Sequence, residues 1–222
     1  MERYTHIIWD FNGTVYDDVD ACIRSANRLL AAHGLKIIEN VADYRSLFGF
    51  PIADYYVRMG FDFSKTPYAE LAVEWVDYYM EETRDCTVYP GALEAMRWFA
   101  SHGLSQILLS ATERGMLAGQ VKSLGLEGCF DEVLGQDTIH AYGKGEIGRA
   151  WKLAHPQAEI LLIGDTVHDA EVARLMGADF ALLTCGHQSR KLLESCGGEG
   201  VFDTHADIVV WLEQYGQEAG RV

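Results

Sequence analysis

Asp10 stands at the end of the apolar run Ile7-Ile8-Trp9, and the chain then turns at once through Asn12-Gly13-Thr14. A second acid, Asp165, follows Ile160 to Gly164 in the same way, with Asp169 shortly after it in Gly164-Asp165-Thr166-Val167-His168-Asp169. One carboxylate after a buried strand is ordinarily a turn former or a helix N-cap. Acids gathered in one crevice would repel one another unless a divalent cation sat among them, and Mg²⁺ suits a partly hydrated set of hard oxygen ligands. Ser110 closes the run Gln106-Ile107-Leu108-Leu109, and Lys144, between Gly143 and Gly145, could supply a positive charge. Taken singly, Ser110 is a strand-ending hydroxyl, Asp169 a helix cap and Lys144 a solvated loop lysine. In this order they make one constellation.

The elements that must position these residues follow from periodicity. Short apolar runs at Thr5 to Trp9, Ser105 to Leu109, Ile160 to Ile163 and Phe180 to Leu183 have the length and bounding residues of buried parallel strands. Between them, Asp18 to His33, Ala92 to His102, Met116 to Leu124, Glu146 to Ala154 and Asp169 to Met176 carry apolar residues at helical spacing. Several of these stretches end at a glycine, such as Gly34, Gly103, Gly125 and Gly177. Alternation of this kind predicts an α/β core, a Rossmann-like parallel sheet, and ligands bind such sheets in the crevice beyond the strands' carboxyl ends. Between Tyr16 and Thr87 no strand pattern is found, only helical patterns rich in Tyr and Trp. That region reads as an inserted all-helical cap subdomain over residues 16–87, leaving 1–15 and 88–222 as the core. Gly197 to Gly200 reads as a loop, and Asp203 through Trp211 to Tyr215 as an amphipathic helix packed on the core.

The 222 residues, 49% of them hydrophobic, suffice for one domain with an insert. A formal charge of −15 with no Lys/Arg block argues against nucleic acid and anionic membranes as partners, while leaving room for a small anion held by local cations. No run reaches membrane-spanning length, and the first residues lead into a strand without a signal-peptide pattern, so the expected location is cytoplasmic. The five cysteines show no CxxC pair and are read as reduced thiols.

With these residues in view, the chain resembles haloacid dehalogenase superfamily hydrolases, in the phosphoglycolate-phosphatase-like branch whose helical cap follows the first motif. Asp10-Phe11-Asn12-Gly13-Thr14-Val15 resembles the first family motif, Ser110 the second, Lys144 the third, and Gly164-Asp165-Thr166 with Asp169 the fourth. Tyr89-Pro90-Gly91 resembles the return from cap to core. The resemblance implies a Mg²⁺-dependent phosphatase acting on a small phosphorylated metabolite, with Asp10 as the nucleophile that forms an aspartyl-phosphate. It implies a metal on Asp10, the backbone carbonyl of Asn12, Asp165 and Asp169. Ser110 and the backbone N–H of Ala111 would then hold the phosphoryl oxygens, and Lys144 would neutralise them. Lys152 is the competing cation, disfavoured because it lies inside a predicted helix.

Asn12 departs from the pattern. Family phosphatases usually carry an Asp there, which protonates the leaving oxygen and later activates water, worth about 10² to 10⁴ in rate. An amide does neither. Four readings are open: a phosphatase of substrates with good leaving groups, such as acyl phosphates; replacement of the acid by His168 or a cap residue, although His168 reads as outward-facing or capping; a binder without turnover; or an engineered substitution. Asn12-Gly13 is also a deamidation-prone pair, and its conversion would restore an acid. Carbon–halogen and phosphonate cleavage fit less well, because both motif-four acids are kept and the insert lysines, Lys36 and Lys65, have no context that depresses a pKa.

Leu47-Phe48-Gly49-Phe50-Pro51 resembles the family's substrate loop. Specificity is sought among Arg45, Phe48, Gly49, Phe50, Tyr55 and Arg58, where aromatic walls and one arginine would suit a ring or a further anion. Arg45 has the strongest claim, because an unpaired arginine is not tolerated in a core. Arg114 and His187 could border the crevice but are assigned no chemistry. Asp17 and Asp18 are read as helix-start acids.

Overall fold

The computed structural model describes residues 3–139 and 143–219, so the outermost ends of the expected core segments lie outside the described residues. Six parallel strands form one sheet: β1 (His6–Trp9), β2 (Ser105–Glu113), β3 (Glu132–Gln136), β4 (Ile160–Gly164), β5 (Asp179–Leu183) and β6 (Gly200–Phe202). Their order is β3-β2-β1-β4-β5-β6. The order reverses between β1 and β4, which places the crevice of an open α/β sheet directly beyond Trp9 and Gly164.

Alternation along the strands explains why both faces are buried. Ile7, Trp9, Leu108, Leu161 and Ile163 enter one core, while Ile8, Ile107, Leu109 and Leu162 enter the other. Helices α5 (Ala92–Ser101), α6 (Arg114–Ser123) and α10 (His205–Ala219) send Phe99, Leu117 and Ile208 into the first core. Helices α7 (Gly145–Ala154), α8 (Val167–Met176) and α9 (Arg190–Glu194) send Trp151, Val172 and Leu193 into the second. Full burial of each large apolar side chain contributes roughly 1.5–3 kcal/mol. Trp9, fully buried, packs edge-on against Phe99 and donates its indole N–H to Gln106 Oε1 at 3.0 Å, so the polar atom at the centre of the sheet is satisfied.

Before α5 come α1 (Val19–Ala32), α2 (Val41–Leu47), α3 (Ile52–Arg58) and α4 (Tyr68–Glu82), with no strand among them, as the aromatic-rich pattern predicts. α1 packs on α4 and α2. No helix among the described residues is long and apolar enough to cross a membrane.

Two strands escape the sequence reading. β3 and β6 are the sheet edges, short and only half-buried, so they lack the continuous apolar run of a central strand. Gly200, read as loop, opens β6. β2 also runs on to Glu113, past the expected end at Leu109, and its register with β3 shifts between those two residues. Ser110 therefore lies within the strand, yet beyond the last pair with β1, Trp9 to Leu108.

Replacing Phe99 with Ala should remove the aromatic support of Trp9 and lower stability by about 3–5 kcal/mol in urea unfolding; a loss near zero would show that the sheet does not depend on that contact.

Candidate active site

β1 and β4 lead directly into Asp10 and Asp165, and the first turn of α8 carries Asp169. Their carboxylate oxygens lie within 4.8 Å of one another, and all three residues are buried. Asp169 is held by its own turn, Asp165 by groups from distant parts of the chain. The Asp169 Oδ2 accepts from the backbone N–H of Asp165 and Thr166 and from the Thr166 hydroxyl, closing a capping box at the start of α8. Asp165 accepts from Thr14 Oγ1 at 3.1 Å and from the backbone N–H of His187 at 2.6 Å. Glycine is required around it: a Cβ on Gly186 would run into the Asp165 carboxylate, and Gly13 adopts a φ of 74° beside the same group.

Lys144, 2% exposed, enters from the start of α7. Its ammonium donates to Asp10 and to the Leu109 carbonyl, and it pairs with Asp169 at 2.7 Å. Burial works against its charge, but Asp10 and Asp169 outweigh burial and hold its pKa above the ordinary lysine value. Lys152, by contrast, caps the end of its own helix region on the carbonyls of Pro156 and Ala158. One ammonium does not balance three acids. Asp169 stays below the ordinary carboxylate range because Lys144 overcomes its burial. Burial raises Asp10 well above its ordinary value and Asp165 to about 6, and the neighbouring acids add to both shifts. A buried set of hard oxygens this close together is what a divalent cation fits.

Ser110, 1% exposed, sits beside this cluster, its hydroxyl accepting from the Thr112 N–H at 3.0 Å. Ser110, Ala111 and Phe48 line a common cavity with Asp10, Asn12, Lys144, Asp165 and Asp169.

Asn12 belongs to a second network. Its amide nitrogen donates to Asp18 Oδ2 and to the Tyr79 oxygen, each at 2.8 Å, while its carbonyl oxygen accepts from Thr112 Oγ1 at 2.8 Å. Asp18 also accepts from the Gly13 N–H and from the Tyr79 hydroxyl, and pairs with His187 at 3.4 Å. That pairing raises His187 to about 9 against the effect of its burial. The Tyr44 hydroxyl meets the other ring nitrogen at 2.9 Å.

Several residues sit elsewhere than their sequence context suggested. Asp18 makes no side-chain cap bond on α1; it is the buried anchor of the Asn12 network. His187 is 3% exposed and touches both networks. The signal for it was available, because Cys185-Gly186-His187 follows a strand at the same end as Asp10; nothing in the sequence marks Tyr79 or Thr112. His168 does not face outward, for its ring stacks on Phe50 with centroids 4.3 Å apart. Arg45 is not in the cavity wall: it donates to the carbonyls of Thr184, Cys185 and Gly186, fastening α2 to the loop after β5. Arg58 donates to the carbonyls of Leu47 and Gly49, and Arg114 pairs with Asp137 at the surface.

The family model for haloacid dehalogenase-like hydrolases matches residues 7–183, which carry every strand of the site. The chain belongs to the haloacid dehalogenase-like hydrolases. It is 26% identical over 219 residues to a phosphoglycolate phosphatase of Rhodospirillum rubrum, covering 93% of this chain and 90% of that protein. A phosphoglycolate phosphatase of Cereibacter sphaeroides is 25% identical, over 91% of this chain and 94% of its own length. The fold of this hydrolase superposes on a haloacid dehalogenase-like family hydrolase from Streptococcus pneumoniae with a TM-score of 0.83 at 16% identity, covering 96% of this chain and 100% of the other.

Two outcomes follow from the networks. Deamidation requires the Gly13 nitrogen to attack the Asn12 side chain, but that N–H is tied to Tyr16 O and Asp18, and the amide is fixed at both ends. Peptide mapping of aged folded protein should therefore find Asn12 intact, whereas the urea-unfolded chain deamidates; equal rates would contradict the restraint. Asp18→Ala leaves the His187 cation buried without its partner and should cost about 3–5 kcal/mol in chemical unfolding at pH 6. Because His187 is raised from 6.5 to about 9, the pairing contributes fully below pH 6.5 and is lost as pH rises through about 9. The gap between parent and variant should narrow over that window.

Proposed function

We propose that this chain is a metal-dependent phosphatase of small phosphorylated metabolites, with Asp10 as its nucleophile. The observation that carries the reading is the buried triad of Asp10, Asp165 and Asp169 at the strand-order reversal, with Lys144 reaching both Asp10 and Asp169. The phosphatase names of the relatives in Rhodospirillum rubrum and Cereibacter sphaeroides support it.

Asp10, Asp165 and Asp169 would hold Mg²⁺, with the backbone carbonyl of Asn12 as the further ligand that the family resemblance implies. When bound, the ion supplies charge neutralisation for the phosphoryl oxygens and the nucleophile. Lys144 aims the Asp10 carboxylate and neutralises negative charge at the same place. Ser110 and the Ala111 N–H receive the phosphoryl oxygens. An Asp10 oxygen attacks phosphorus to give an aspartyl-phosphate, and water hydrolyses it to release phosphate. We take residues 16–87 as a cap over a core of residues 1–15 and 88–222. In support, Tyr44, Phe48 and Tyr55 of that segment wall the cavity that contains Asp10. We place the chain's activity in the cytoplasm, the location its sequence leads us to expect.

Asn12 shapes the chemistry. Its side chain is committed to Asp18, Tyr79 and Thr112, and it carries no proton to give to a leaving group. Protonation of the leaving oxygen by residue 12 is absent, so substrates whose leaving groups need no proton are favoured.

Phosphate release from acetyl phosphate should require Mg²⁺ and vanish in Asp10→Ala. Asn12→Asp should leave acetyl phosphate turnover within a few-fold but raise turnover of an alkyl ester such as glycerol 3-phosphate by about 10² or more. An inert parent beside an active Asn12→Asp would favour a phospho-ligand binder; turnover surviving Asp10→Ala would overturn the assignment.

A further inference from the structure

The cavity that begins at Asp10 has a volume of about 160 Å³. Its wall combines polar residues of the site, among them Asn12, Ser110, Thr112 and Thr166, with an aromatic and aliphatic part, Phe50, Ile52, Tyr55, Tyr56, Trp75 and Val76, contributed by α3, α4 and the loop before α3. Two polar atoms in this wall stand out. The Tyr55 hydroxyl and the Trp75 indole N–H are both buried without a hydrogen-bond partner, and Tyr55 is only 4% exposed. Buried donors are normally paired, and these two belong to residues that line one cavity, where a ligand could supply the missing acceptors.

The same wall offers no free cation among the described residues. Lys144 is committed to Asp10 and Asp169, and His187 to Asp18. His168 receives the Lys144 backbone N–H at 3.4 Å and stacks on Phe50. Arg45 and Arg58 are used up on backbone carbonyls. Asp18 and Glu113 also line the chamber, so a carboxylate on the leaving group would meet like charge and no partner. The sequence left a ring and a further anion open; the placement of the arginines selects the ring.

We propose that this site cleaves phosphate monoesters of small uncharged phenols, the ring seated among the aromatic residues and its acceptor substituent hydrogen-bonded by Tyr55 and Trp75. The proposal rests on the phosphatase reading above. Asn12 agrees independently. A phenol has a pKa near 10, whereas an alkanol is close to water at about 15.7, so a phenolate departs without the proton that residue 12 does not supply. In the first step the Asp10 oxygen bonds to phosphorus as the phosphorus–aryl oxygen bond breaks; the phenolate keeps that electron pair and takes a proton from solvent. Water then attacks phosphorus, Asp10 leaves as carboxylate, and the proton of water departs with phosphate.

The test compares phenyl phosphate, 2-phosphoglycolate and acetyl phosphate as substrates of the full chain with Mg²⁺. Phenylphosphonate and phosphonoacetate serve as uncleavable competitors of acetyl phosphate. The expected result is a kcat/KM for phenyl phosphate about tenfold or more above that for 2-phosphoglycolate, and a similar preference for phenylphosphonate in inhibition. Tyr55→Phe and Trp75→Phe keep an aromatic ring and remove one donor, and each should raise KM for 4-hydroxyphenyl phosphate relative to phenyl phosphate. Acetyl phosphate turnover with 2-phosphoglycolate equal to or better than phenyl phosphate would overturn the phenol assignment and leave the phosphatase reading standing. Inertness toward acetyl phosphate, with neither phosphonate binding, would overturn both. An unchanged KM ratio in both variants would overturn the assignment of the donors.

Discussion

Three carboxylates buried within 4.8 Å of one another are the condition around which the rest of the molecule is arranged. Their repulsion is large in a low-dielectric interior, and every nearby element reduces it. The start of α8 turns two backbone N–H groups onto Asp169, the loop after β5 turns the His187 N–H onto Asp165, and α7 brings Lys144 between Asp10 and Asp169. Glycines at 13 and 186 allow the backbone to approach where any side chain would strike the Asp165 carboxylate. What remains is a crowded set of buried carboxylate oxygens in which burial and mutual repulsion raise Asp10 and Asp165 above the ordinary carboxylate range.

A second buried acid, Asp18, couples this centre to the α1–α4 helices. It gathers Asn12 and Gly13 from the turn after β1, Tyr79 from α4 and His187 from the loop after β5. Asn12 is therefore built into the packing: an aspartate at position 12 would face Asp18 at hydrogen-bond distance and would have to carry a proton there. The same contacts set the relation between the aromatic chamber and Asp10, because Tyr79 and Tyr44 are fixed by their hydroxyls to groups of the site.

The central strands and the acids Asp10 and Asp165 were legible in the sequence because each of these acids follows a fully buried apolar run, a pattern strong enough to place it at a strand's carboxyl end, and Asp169 was legible through its place four residues after Asp165. Lys144, a solvated loop lysine when taken alone, was singled out only through its place in the constellation and its likeness to the third family motif. Edge strands β3 and β6 were not legible, since half-buried edges need no continuous apolar run. Asp18 was misread because an acid before a helix is ordinarily a cap, and only the fold shows Tyr79 and His187 converging on it. Arg45 illustrates the limit of reasoning from residue type. An arginine does need partners, but three backbone carbonyls satisfied it as well as a substrate anion would have done.

The most direct measurement is the chemical trapping of the intermediate: enzyme acid-quenched during acetyl phosphate turnover with Mg²⁺, reduced with borohydride and mapped by mass spectrometry. Phosphoryl transfer to Asp10 predicts that residue 10, and no other, is recovered as homoserine. Steady turnover with an unmodified Asp10, or with the reduced product at Asp165 or Asp169, would contradict the assignment of the nucleophile.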